Sequence, residues 1–200
     1  DALDNLHRLD AGFLRELVAR HQAGLDILAA ADQVDRPGPQ DAATLERLLH
    51  LLAEHYEYIV VDAGRITGAC ADVAVFAADT VYVVANPDVP SIRNTQRVID
   101  RMGQLGAGHE RVRVVLNRSS DQNLIAPKQI ESAIGRSIHQ AFASDYGTVA
   151  TALNSGVPLT LTNHSELAGQ FSRFTRDILR LPPANGPDPE RRRGAFLGLF

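Results

Sequence analysis

The order of apolar and polar segments in this 200-residue chain predicts an α/β fold, a parallel sheet with helices on both faces. Three observations carry that prediction. The apolar runs Tyr58-Ile59-Val60-Val61, Val81-Tyr82-Val83-Val84-Ala85 and Val112-Arg113-Val114-Val115-Leu116 are short and nearly continuous, as strands buried on both faces are. Helical periodicity fills the stretches between them, giving a βαβα order. Polar turn residues follow the strands: Asp62, then Asn86-Pro87-Asp88, then Asn117-Arg118, then Ser144-Asp145. Right-handed crossovers bring the carboxyl ends of parallel strands to one edge, which is where open α/β sheets bind ligands. The four polar strand ends are therefore the candidate site.

Each element has a local reason. Residues 10–22 place Phe13, Leu14, Leu17 and Val18 on one helical face, and Gly24 is the stop. Leu25-Asp26-Ile27-Leu28-Ala29 reads as a short strand and Arg36-Pro37-Gly38-Pro39 as a loop. Asp41 is placed to cap a helix bearing Leu45, Leu48, Leu49 and Leu52. The next run is a buried strand ending in Asp62, followed by Ala63-Gly64-Arg65. An aspartate at that point holds Mg²⁺ in nucleotide-hydrolysing sheets, and it also commonly starts a turn. An Ala-rich helix over 68–77 leads to the strand ending at Ala85, and a helix over 91–105 to a turn marked by Gly103, Gly106 and Gly108. The strand from Val112 to Leu116 is closed by Asn117-Arg118. A helix over 127–134, a strand over 138–142 and helices over 147–155 and 165–180 complete the order.

Composition narrows the function. The chain is 44% hydrophobic and 22% charged, which suits a globular domain with a real core. A net charge of −4 makes nucleic acid an unexpected partner. The single cysteine, Cys70, excludes an internal disulfide, suits the cytosol and is expected as a small buried apolar residue. No run has the length of a membrane-spanning helix, and the amino end has no signal-peptide pattern. The absence of an initiator methionine suggests a chain that starts inside a longer protein. Residues 1–181 read as one domain part. Residues 182–200 read as a Pro-rich linker with a basic-apolar tail from Arg191 to Phe200, which could touch a membrane surface or fray.

Several chemistries are absent from the motifs. Lys128 is the only lysine, and no Gly-rich loop precedes it, so the chain carries no phosphate-cradling P-loop. His50 and His55 lack metal-ligand spacing, and there is no Gly-x-Ser-x-Gly elbow. The glycines at 103, 106 and 108 follow a helix and precede a strand, the reverse of a dinucleotide fingerprint. His139 and His164 are expected at helix ends or on the surface.

Together these segments resemble the MinD/ParA branch of P-loop ATPases, and more narrowly the carboxyl-terminal part of a CpaE/TadZ-type pilus-assembly ATPase. The likeness covers about residues 1–180. Tyr56-Glu57-Tyr58-Ile59-Val60-Val61-Asp62 resembles the Walker B strand, and Asn86-Pro87-Asp88-Val89-Pro90-Ser91 the strand–Pro-acid–helix element. Val115-Leu116-Asn117-Arg118 is similar to the adenine-binding Asn-Arg step, and Ser144-Asp145-Tyr146 with Ala152-Leu153-Asn154-Ser155-Gly156 to the closing loop and helix.

The resemblance implies an incomplete P-loop NTPase fold, because the P-loop strand is missing from this sequence. It implies ATP or ADP with Mg²⁺ as cofactors of the complete protein. Asp62 would hold Mg²⁺ through water, and Gly64 would free the switch loop. Asn117 would meet the adenine edge with its amide, and Arg118 would stack on the base. Ser144 and Asp145 would contact base or ribose, and Asn86 and Asp88 the phosphate side or dimer face. Arg65 and Ile66 depart from the Pro or Gly usual after the Walker B aspartate, which puts ordinary hydrolysis in question. The implied protein is a cytoplasmic homodimer, peripheral at the inner membrane or cell pole, that localises a pilus or secretion machine with its assembly proteins. Alternatives are a non-catalytic localisation scaffold and a MinD/ParA-type partitioning ATPase. This chain alone is expected to be inactive.

Overall fold

The structure is a computed structural model that describes residues 11–21, 24–29, 42–64, 68–106, 108–162 and 165–181. The chain divides into two compact units, residues 1–81 with 98–112 and residues 82–97 with 113–200.

In the first unit, helix α1 (Ala11–Leu17) buries Leu14. It is shorter than the periodicity suggests, because the chain turns into strand β1 (Ala19–Arg20). Strand β2 (Asp26–Ile27) pairs antiparallel with β1, so the expected strand at 25–29 is one arm of a small hairpin rather than part of a parallel sheet. Gly24, at φ 81°, supplies the left-handed backbone that the reversal needs. Arg20 Nε donates to Asp26 Oδ1 at 3.1 Å, and the Tyr56 hydroxyl donates to Asp26 Oδ2 at 2.9 Å. These donors, Arg20 first, hold the Asp26 carboxyl below its ordinary range.

Helix α2 (Ala42–His55) packs on α3 (Ala69–Ala77); α2 buries Leu48, and α3 buries Ala71, Ala74 and Val75. Asp41, the expected cap of α2, lies outside the described residues, as do Arg36 to Pro39, Arg65, His164 and residues 182–200. The orphan carbonyls at the end of α3 receive the Arg111 guanidinium, which donates to Val75 O at 3.0 Å, Phe76 O at 3.2 Å and Ala78 O. Arg101 grips Asp72 at 2.7 and 2.9 Å. Cys70, in the first turn of α3, is half-buried rather than buried.

The second unit is built on a parallel sheet in the order β3-β4-β5: β3 (Val81–Ala85), β4 (Val112–Ser119) and β5 (Ile138–Ala143). Helix α4 (Val89–Gln104) connects β3 to β4, and α5 (Pro127–Ile134) connects β4 to β5. Val114 pairs with Ile138 and Leu116 with Ala141. Helices α6 (Tyr146–Ser155), α7 (Leu159–Thr162) and α8 (Glu166–Ile178) follow. The core gathers Val115, Phe142 and Leu167, with Tyr82, Leu159 and Phe174 packed against them. Phe142 stacks on Phe171 at 4.4 Å and meets Phe174 edge-on at 5.4 Å, which seats α8 on β5. His139 is on β5 and exposed, in keeping with the surface alternative, with Nε2 3.1 Å from Asp177 Oδ2 on α8.

The run Tyr58 to Asp62 is not a strand. Among the described residues it pairs with no neighbour in either sheet, and Val60 is 95% exposed. A β-prone run becomes a strand only where a ladder partner takes its backbone groups. None of the described strands pairs with this run.

Candidate functional site

The eight candidate residues fall into two groups. Asp62 and Gly64 belong to the first unit, and Asn86, Asp88, Asn117, Arg118, Ser144 and Asp145 to the second.

Asp62 is in a turn of its own making: its Oδ1 accepts the Gly64 N–H at 3.0 Å, and Gly64 sits at φ 57°. The residue pair expected at a strand's end is therefore an exposed Asx turn.

At the end of β3, the Asp88 carboxylate accepts the Ser91 N–H at 2.8 Å, and the Ser91 hydroxyl accepts the Asn86 N–H at 2.8 Å. Asp88 thus satisfies one of the orphan donors of α4, and Ser91 reaches back to the strand. The Asp88–Ser91 spacing is a legible capping signal, and Ser91 joins the site as the residue that shapes the Asn86 turn.

Asn117 and Arg118 lie within β4 rather than after it. The register with β5 is irregular between Leu116 and Ser119, and Arg118 adopts φ 54°. The strand continues through a bulge that changes the pleat where the chain passes the sheet's carboxyl edge. Asn117 is half-buried and Arg118 exposed. The Asn123 side-chain amide donates to Arg118 O at 3.5 Å, bracing the bulge from the following loop.

Ser144 and Asp145 continue β5. Ser144 N–H donates to Ser119 O at 2.9 Å, which ties the exit of β5 to that of β4. Asp145 is the N-cap of α6 and accepts the Thr148 N–H at 3.0 Å. The Thr148 hydroxyl and N–H together hold its carboxyl below the ordinary range. The Ala143 N–H donates to Gln170 Oε1 of α8 at 2.8 Å, a partner 27 residues away that no local motif announces. The sheet therefore brings Asn86 and Asp88, Asn117 and Arg118, and Ser144 and Asp145 to the carboxyl ends of three neighbouring parallel strands.

The fold has solved counterparts. A ParA-family ATPase from Chlorobium tepidum superposes with a TM-score of 0.80 at 22% identity, over 87% of this chain and 73% of that one. The fold is that of the MinD/ParA ATPases. The MinD of Pyrococcus horikoshii, complexed with Mg-ADP, superposes with a TM-score of 0.69 at 18% identity, over 82% of this chain and 68% of that one. In sequence, the septum site-determining protein MinD of Thermotoga maritima is 25% identical over 139 residues, 67% of this chain. The chain spans about half the length of that curated MinD relative, 51%. No family model matches the sequence.

The residues fit one part of a MinD-type ligand better than another. Asn117 offers an amide that both donates and accepts, as a base edge requires, and Arg118 a planar guanidinium beside it. Phosphates are served less well, because the sequence has no Gly-rich loop with a lysine. For Mg²⁺, the described residues form no cluster of three or more His, Cys, Asp or Glu. Asp62 alone could supply the single carboxylate that Mg²⁺ commonly takes beside water and phosphate oxygens.

Proposed function

We propose that this chain is the base- and ribose-binding portion of a MinD/ParA-type nucleotide switch. In this reading Asn117 and Arg118 take the adenine, and Ser144 and Asp145 the ribose side. Asn86 and Asp88 line the phosphate side, while Asp62 serves Mg²⁺ and Gly64 gives its loop freedom. The observation that carries the reading is the gathering of three polar strand ends at one sheet edge, in a fold shared with an Mg-ADP-bound MinD. In the complete protein, chemistry would be phosphoryl transfer to water, driven by positioning and Mg²⁺.

The finer assignment is to the CpaE/TadZ type, a cytoplasmic homodimer that places a pilus or secretion machine, with the tail from Arg191 to Phe200 as a membrane contact. It rests on the sequence likeness described above. No helix among the described residues is long and apolar enough to cross a membrane. A second reading, a MinD/ParA-type positioning ATPase, is favoured by the relationship to the Thermotoga maritima MinD. Deleting the gene separates the two. Loss of surface pili with normal division supports the pilus role, and misplaced division or partitioning supports the positioning role.

The site itself is tested by titrating adenosine into ¹⁵N-labelled protein. Amide shifts concentrated at Asn117, Arg118, Ser144 and Asp145 are expected. Shifts confined to residues elsewhere, or none at millimolar ligand, would remove these residues from a nucleotide site.

A further inference from the structure

Strand β5 is an edge of the described sheet, since the order runs β3-β4-β5. Backbone groups alternate sides along a strand, and the Ser144 N–H faces β4, where it donates to Ser119 O. The Ala143 N–H therefore points away from β4, toward the open edge. An open edge leaves such groups to water or to another strand. Here two glutamines take them. Gln170 Oε1 accepts the Ala143 N–H at 2.8 Å, and the Gln140 side-chain amide donates to Ala141 O at 2.7 Å. Gln170 is itself oriented, because its amide nitrogen donates to Glu166 Oε1 at 3.3 Å, one turn back along α8. That contact settles which end of the Gln170 amide faces the strand.

We infer that Gln170 is a positioning residue for the segment Ser144-Asp145, with Glu166 setting its orientation. Ala143 is the last residue of β5 and Ser144 the first of the candidate rim. The segment is held from three directions: β4 through Ser119, α6 through its cap at Thr148, and α8 through Gln170. Removing the Gln170 contact leaves a half-buried N–H without its acceptor and frees the chain at the point where strand becomes rim. Gln170 touches no ligand in this scheme; it acts through the backbone of Ala143. The functional consequence rests on the nucleotide reading above, and the structural one does not.

Two variants of the full chain decide it. Gln170→Leu keeps the volume and loses the acceptor. The exchange Glu166→Gln with Gln170→Glu restores an amide–carboxylate pair with an oxygen facing Ala143. Hydrogen exchange should quicken about tenfold at Ala143 and Ser144 in the first variant and recover in the second. Adenosine affinity should fall and recover in parallel. Unchanged exchange in Gln170→Leu, or a loss that the paired exchange fails to recover, overturns the inference. Altered exchange in a chain that binds no adenosine even unmutated would instead sink the nucleotide reading and leave the positioning role standing.

Discussion

Arg118 holds a backbone angle that a side chain with a Cβ avoids, φ 54° within a strand. Such strain of about 1 kcal/mol persists where the surroundings over-determine it, and it clusters at binding sites. Arg118→Gly should therefore leave stability unchanged or raise it by up to about 1 kcal/mol, while lowering adenosine affinity. Urea unfolding and calorimetry on one variant read both. A marked loss of stability would mean that the side chain serves packing instead. Asp145 makes a second prediction. Its carboxyl is held low by the Thr148 hydroxyl and N–H, so the cap stabilises the fold when ionised. That contribution is fully present above the ordinary value of 3.8 and disappears as pH falls through the lower folded value. Asp145→Ala should thus lower the urea midpoint at pH 7, and the gap from wild type should close in strong acid. A gap independent of pH would show that charge plays no part. The polar strand ends were legible as residue types after apolar runs. The bulge was not, because a one-residue insertion in a ladder has no composition of its own.

Helix α5 shows how far local chemistry reaches at the scale of elements. Pro127 opens it, the Gln129 side chain accepts the Ala126 N–H at 2.9 Å, and Gly135 closes it at φ 68°. Every one of those signals is short-range, so the expected bounds, 127–134, are the observed ones. The run before Asp62 is the counter-case. Its composition is as strand-like as that of β3, but β3 has β4 beside it, and the run has no ladder partner among the described residues. Strand formation is a property of pairs, which a single segment cannot report. Val60, at 95% exposure, turns this difference into a measurement. Val60→Asp should change the stability of this chain by no more than about 0.5 kcal/mol, as surface substitutions do. A cost of several kcal/mol would mean that the run is buried as a strand after all.

For the whole chain, the alternation of apolar runs and helices was enough for the α/β class, because crossover handedness leaves few other arrangements. The candidate site was legible as polar residues after apolar runs, but not its division: Asp62 and Gly64 belong to one unit and the other six residues to the second. This division bears on binding. The candidate rim offers amide, guanidinium and hydroxyl groups suited to a base and its sugar, while the sequence holds one lysine and no Gly-rich phosphate loop. Phosphate grip in nucleotide sites comes largely from such loops and the helix ends behind them. The chain should therefore bind adenosine and Mg·ATP with similar, weak affinity, on the order of 1 mM or about −4 kcal/mol. Omitting Mg²⁺ should change the ATP value little, because a lone Asp62 carboxylate adds little without phosphate oxygens to share the ion. Calorimetric titration of adenosine, ADP and ATP, each with and without Mg²⁺, makes the comparison within one protein sample. Micromolar Mg·ATP affinity, or a preference for ATP over adenosine beyond about tenfold, would locate a phosphate grip in these 200 residues and overturn the division of labour argued here.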